Sequence, residues 1–408
     1  MVRNLPMRRK LVTDRWQWTR ELAIMAAAVF ALNVAIGLSD AVRTNFFIDL
    51  LGMSGKQILW LEGLREIPGL VLVFIAAAMM AIPPRVRATV ALSTMAVGYA
   101  LILTVPSFAV LIPVEILASL GLHIWMPLLT ILGTALASRA HAGRVLGLLG
   151  GAAALGMITG MGLAALLSGV GEGLPLRAYY GIGAVLILAA GLLLILLPRG
   201  TGVTVERPQR ILVSKRYWLF YLLTFMQGAR KQVMASFGAL VLVAYFDWQV
   251  WQISTLLLVS AVVNTVASPL AGWTLDHFGE RAMLTASYII TALCCVGFAM
   301  VRQVWALMVL FVMIKALVVF NIGVDSWVSR TIPRQELAPT LAAGLSINHV
   351  SSLAMPLLNG LLLPLIQYEG VYLLTAGLTL ATVPFALMMK RHRPAECELP
   401  VVAPAVGG

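Results

Sequence analysis

The sequence predicts an all-α polytopic membrane protein with twelve transmembrane helices in two pseudo-symmetric six-helix bundles. Three observations carry that expectation. The 408 residues are 60% hydrophobic and only 11% charged, where a soluble domain is typically about 25% charged. Apolar runs long enough to cross a bilayer, about 20 residues each, recur along the whole chain. A basic, Pro/Gly-punctuated stretch, "PRGTGVTVERPQRILVSKRY", separates the sixth run from the seventh, as a linker between two halves does.

Taken in order, the runs centre near 22–48, 57–81, 87–105, 109–136, 144–170, 178–198, 217–245, 250–274, 282–301, 304–329, 338–365 and 370–389. The first follows the basic opening "MVRNLPMRRKLVTDRWQWTR". It is too long for the apolar part of a signal peptide and is read as a retained helix. The expected organisation is a cytoplasmic segment over 1–20, a bundle over 21–198, a cytoplasmic linker over 199–216, a second bundle over 217–390, and a disordered cytoplasmic tail over 391–408.

Orientation follows from the 29 Lys and Arg residues. If the connections alternate between two sides, the side opposite the termini carries only Lys56, Arg177 and Arg302. Arg43, Arg65, Arg230, Lys231 and Lys315 fall inside spans, and all the others lie on the side of the termini. The positive-inside rule then places both termini in the cytoplasm, in a cell (inner) membrane. Trp16, Trp18, Trp218, Trp273 and Trp327 fall at inner span ends, and Trp60, Trp248, Trp251 and Trp305 at outer ends, as an interfacial belt requires. Trp125 alone falls in mid-span. The net charge of +12 therefore belongs to the membrane topology, and no nucleic-acid partner is expected. Cys294, Cys295 and Cys397 have no metal or disulfide spacing. No cofactor and no metal are expected.

The eighth span ends in "PLAGWTLDHFGERAML". Gly272, Asp276, Gly279 and Arg281 match a loop signature of the major facilitator superfamily: Gly, three residues, Asp, a basic residue, any residue, Gly, two basic residues. His277 and Glu280 stand where basic residues are usual. The corresponding first-half turn, "MMAIPPRVRATV", keeps only Arg85 and Arg87. The fifth span, "GRVLGLLGGAAALGMITGMGLAALL", resembles the superfamily's glycine-rich fifth helix, where small residues allow close packing. The usual arginine of the fourth helix is not evident, and Glu115 stands near its place. The resemblance covers roughly 20–390 and implies a two-lobed transporter with a central site and alternating access. It also implies a cytoplasmic gate, with Asp276 and Arg281 pairing with helix ends.

Charge inside a span is expensive and marks function. Asp40, Arg43, Glu62, Arg65, Glu66 and Glu115 fall at similar depth, counting about 1.5 Å per residue. Glu62, Arg65 and Glu66 are spaced i, i+3, i+4, on one face of an unbroken second helix. The six form a candidate network that carries protons, locks the outer ends together, or does both. Pro68 and Gly69 allow a bend just below it. The second half is basic at its centre, with Gln227, Arg230 and Lys231 in the seventh span and Lys315 in the tenth. Two roles are open for Arg230 and Lys231: binding an anionic group, or pairing with the acidic first half. Asn33, His123, Trp125, Asn264 and His349 complete the candidate substrate-binding set. His123 and Trp125 read equally as packing residues.

The expected function is secondary active transport of a small organic solute, anionic or amphipathic, by alternating access and coupled to protons. The expected partners are that solute, protons and the lipid bilayer, with the protein a monomer. Efflux of hydrophobic or cationic compounds, or of lysolipids, is the alternative. An intramembrane enzyme would need a sizeable loop rich in acids, His or Cys, and the central linker holds one acid, Glu206. The chain is not expected to be an enzyme. A non-transporting sensor of the same fold is the remote alternative.

Overall fold

The computed structural model describes residues 18–137, 141–171, 173–203 and 213–390. The expectations for most of the N-terminal segment, Arg139, the centre of the linker with Glu206, and the tail with Cys397 lie outside the described residues.

Every regular element among the described residues is helical. α1, Arg20–Asn45, begins on Thr19, whose hydroxyl accepts from the Leu22 amide, and continues through a π-helical turn, Phe46–Leu50. α2, Gly55–Leu64, opens on a reciprocal cap between Ser54 and Gln57. It stops at Arg65 and Glu66, and α3, Ile67–Ala78, restarts with Pro68 in its first turn, where a missing N–H is tolerated. α4, Pro84–Ile102, α5, Phe108–Ala135, α6, Ala142–Gly169, and α7, Leu176–Ile195, complete the first half.

The second half begins with α8, Trp218–Gln232, and α9, Gly238–Phe246, joined by a π-helical turn over Val233–Phe237. α10, Val250–Phe278, and α11, Glu280–Met300, follow. α12, Val304–Leu317, and α13, Ile322–Thr331, are joined by a 3-10 turn. α14, Arg334–Leu387, is bent at Gln367 (φ 57°). Eight helices are long and apolar enough to cross a membrane, and the 53 residues of Gln335–Leu387 suffice for two crossings. The chain is a multi-pass membrane protein. Its elements are consistent with twelve crossings once the interrupted pairs α2–α3 and α8–α9 are each counted as one and α4, with Arg85 and Arg87, is included.

Close packing in the first half rests on glycine. Gly156 and Gly160 of α6 lie against α1. A Cβ at Gly156 would stand 2.5 Å from the Phe30 carbonyl, and one at Gly160 would overlap the Val34 carbonyl. Small residues let two helix backbones approach this closely. Gly160→Val is expected to force α1 and α6 apart at a cost of about 1–3 kcal/mol. A lowered melting temperature in detergent, relative to an open-site control such as Gly150→Val, checks it. Gly150 has no neighbour within 4 Å.

The halves meet at the end away from the termini. There the Asn45 side chain donates to the Trp248 carbonyl at 2.9 Å. Trp60 Nε1 donates to the Leu357 carbonyl at 3.2 Å, and Ser254 Oγ to the Ala41 carbonyl at 3.4 Å. One continuous apolar core takes in residues of both halves, and a second core, around Phe220, Leu284 and Trp327, lies within the second half. On the side of the termini, Gly143, Gly147, Gly150 and Gly151 of α6 and Gly272 of α10 face open space. The two halves are tied together at the end away from the termini.

Candidate functional site

Two adjoining polar chambers lie between the helices. The first, about 370 Å³, is walled by α1, the α2–α3 break, α5 and α8. Its polar wall is an ion-pair cluster. Arg43 lies 2.9 Å from Glu62 and 4.0 Å from Glu115. Arg65 lies 3.3 Å from Glu62 and 3.5 Å from Glu115. Glu62 and Glu115 are buried. Asp40 lines the same chamber and makes no ion pair among the described residues. Buried charges of this kind persist only when paired, and here two guanidiniums serve two carboxylates.

Glu66 does not join that cluster, which corrects the expectation of one acidic face. The i, i+3, i+4 spacing assumes an unbroken helix. Arg65 and Glu66 instead take ψ near −10°, a tightened turn that sends Glu66 to the other half. Lys231 Nζ donates to both its oxygens, at 2.8 and 2.9 Å. Gln232 Nε2 donates at 3.0 Å and His349 Nδ1 lies at 2.8 Å. Glu66 of the first half is thus held by α8 and α14 of the second. His123 lines the first chamber, with its Nδ1 2.8 Å from the Ser119 carbonyl and its ring 5.1 Å from that of His349. Glu66, His123 and His349 bring one ligand-type atom each within 4.8 Å of one another. The Lys231 ammonium already supplies the positive charge at Glu66, so the set suits a proton better than a metal ion.

The second chamber, about 450 Å³, lies within the second half and shares Lys231, Ala235 and Lys315 with the first. Arg230 is 4% exposed. Its guanidinium stacks over Tyr288 at 4.3 Å, and its Nη1 is buried without a hydrogen-bond partner. Arg230 makes no ion pair among the described residues. Asn264 Oδ1 and the Tyr288 hydroxyl also lack partners and line the same chamber. Gln227 lines it too and donates to the Asn321 carbonyl at 3.2 Å. Lys315 donates to the Ala235 carbonyl. A planar guanidinium with free N–H groups, in a chamber also lined by Lys231 and Lys315, matches a carboxylate or another oxyanion.

Two candidates lie elsewhere. Trp125 is 3% exposed within the large apolar core and lines neither chamber. Core packing, not a substrate, explains its mid-span place. Asn33 faces Gly156 across the α1–α6 seam and donates to the Val29 carbonyl at 2.8 Å. In the signature loop, Gly279 has φ 84°, a conformation that favours glycine. Asp276 pairs with Arg330 at 2.7 Å. Arg281 makes no ion pair among the described residues. Its expected role falls to Glu280, which is buried and 3.2 Å from Arg330. Glu280, Gln232 and Tyr288 went unread in the sequence. For Glu280 the signal was present, as an acid at a position where the signature has a base.

The chain matches the family model of the Major Facilitator Superfamily over residues 217–403. Among solved structures, the nucleoside transporter NupG superposes with a TM-score of 0.74 at 15% identity, covering 92% of this chain and 100% of NupG. The second half of the chain is thus similar to this superfamily, and the chain as a whole has the fold of these structures. The family match falls on the second half, and the shared fold extends over both. A bacterial homologue of the human lysosomal transporter Spinster, solved inward-facing and occupied, gives a TM-score of 0.65 at 13% identity, covering 90% of this chain and 94% of that one. The human organic anion transporter MFSD10 gives 0.60 at 14%, covering 90% and 100%. No curated sequence matches the chain. These neighbours are named as transporters.

Proposed function

We propose that this protein is a transporter that carries a small organic anion by alternating access, coupled to protons, with the anionic group held by Arg230, Lys231 and Lys315. The observation that carries the reading is Arg230. A buried charge without a counter-ion is costly, and a substrate anion in the second chamber supplies the missing partner. Glu62, Glu115 and Glu66 do not fill that role, because Glu62 and Glu115 face Arg43 and Arg65 and Glu66 holds Lys231, and Asp40 lines the first chamber and not the second. The name of MFSD10 as an organic anion transporter agrees with this class. The alternative, cation efflux through an acidic binding face, would rest on Asp40, because Glu62, Glu66 and Glu115 are paired.

The basic residues on the side of the termini support a cytoplasmic location for both ends. The end at which the halves are tied then faces away from the cytoplasm, and the bundles over 21–198 and 217–390 are the two rocking bodies. The test is uptake into proteoliposomes under an imposed pH gradient. Hippurate, malate and glucuronate serve as anions, with glucose and uridine as uncharged counterparts. At least one anion is expected to accumulate with the proton gradient, and Lys315→Ala to reduce its uptake roughly tenfold or more. Uptake restricted to the uncharged solutes, or unchanged in Lys315→Ala, contradicts the reading.

A further inference from the structure

Lys231 belongs to both chambers. Its ammonium is bound to Glu66 at the first, and its side chain lines the second beside Arg230. It cannot fully serve an anion in the second chamber and the Glu66 carboxylate at once. We infer that Lys231 exchanges Glu66 for the substrate anion, and that Glu66 takes up a proton as it does so, which makes the protein an anion–proton symporter. The inference rests on the anion-carrier reading above.

The steps balance in charge. An anion entering beside Arg230 and Lys315 draws in the Lys231 ammonium, a point charge on a flexible stem. Glu66 then loses the cation that favours its ionised form, and a buried carboxylate without one binds a proton. One negative charge and one proton have entered together. The groups facing Glu66 are Lys231 and Gln232 from α8, His349 from α14 and His123 from α5, with Arg65 beside it in its own break. The proton comes from water in the first chamber, which Glu66 and His123 line, and comes to rest on a Glu66 oxygen. Linkage is reciprocal: a proton on Glu66 releases Lys231 and tightens anion binding.

The exchange also acts on the gate. Glu66 ties the α2–α3 break to the second half through Lys231 and His349. When Glu66 is neutral, that tie loses its ion pair. Protonation of Glu66 thus loosens the tied end, and the anion favours that protonation by drawing Lys231 away, which couples the two solutes.

The test is proton uptake on binding, measured in the purified full chain with a pH indicator in weak buffer. Hippurate, malate and glucuronate are titrated separately, with calorimetry recording the binding itself. Binding is expected to take up about one proton per anion from solution near pH 7. Lys231→Gln is expected to bind the anion roughly tenfold more weakly and without proton uptake. Lys231→Arg, which keeps the charge, should retain the uptake. Glu66→Gln should bind without uptake. Binding with no proton uptake, with proton release, or with uptake intact in Lys231→Gln overturns the exchange and leaves the carrier reading standing. Failure of all three anions to bind overturns the carrier reading, and the exchange with it.

Discussion

Arg230→Ala is expected to weaken anion transport by roughly 30- to 1,000-fold, the equivalent of about 2–4 kcal/mol. The effect is large because Arg230 is withdrawn from bulk solvent and has no protein counter-ion among the described residues. Arg230 is buried, its Nη1 has no partner, and its plane is fixed by Tyr288. Arg230→Lys is expected to recover only part of the loss, because an ammonium neither stacks on Tyr288 in the same way nor presents a two-pronged donor. Initial uptake rates across anion concentrations check both. Removing an uncompensated buried charge should leave the protein at least as stable without substrate. Purified Arg230→Ala is therefore expected to melt no lower than the wild type.

Glu62→Ala should have the opposite signature. Glu62 is buried between two guanidiniums, 2.9 Å from Arg43 and 3.3 Å from Arg65. Its removal leaves both arginines to Glu115 alone, at 4.0 and 3.5 Å. Breaking a buried ion pair from one side costs about 3–5 kcal/mol, so Glu62→Ala is expected to melt lower in detergent and to express poorly. Removing both partners is milder than removing one. Glu62→Leu combined with Arg43→Leu should therefore melt above Glu62→Leu alone. If the single variants are no less stable than wild type, the cluster does not hold the tied end together.

Much of the architecture is legible in the sequence, because bilayer physics writes it in long apolar runs and in charge that avoids one side. The charged positions inside spans are legible for the same reason. Their partners are not. Glu66 and Lys231 lie 165 residues apart, and nothing local connects them. The face on which Glu66 points depends on a break at Arg65 and Glu66. Pro68 announces that break, but the spacing rule for an unbroken helix overrides it. Trp125 is open in the sequence between packing and cavity lining, because a mid-span tryptophan suits both, and its place in the core comes only from the packing. Asn33 shares a stripe with Asp40 along α1, yet it turns into the α6 seam because Gly156 leaves room there. Tyr288 carries no charge and sits in an ordinary apolar run. Its importance comes from Arg230 lying against its ring, a contact between α8 and α11.

The central claim is that Arg230 selects for negative charge. The most direct measurement is the ratio of glucuronate to glucose uptake in proteoliposomes, wild type against Arg230→Ala, at one fixed pH gradient. The two solutes share a ring and differ mainly in a carboxylate. The account predicts a strong preference for glucuronate in the wild type and its collapse in Arg230→Ala. A preference for glucose, or a preference for glucuronate that survives in Arg230→Ala, would contradict it.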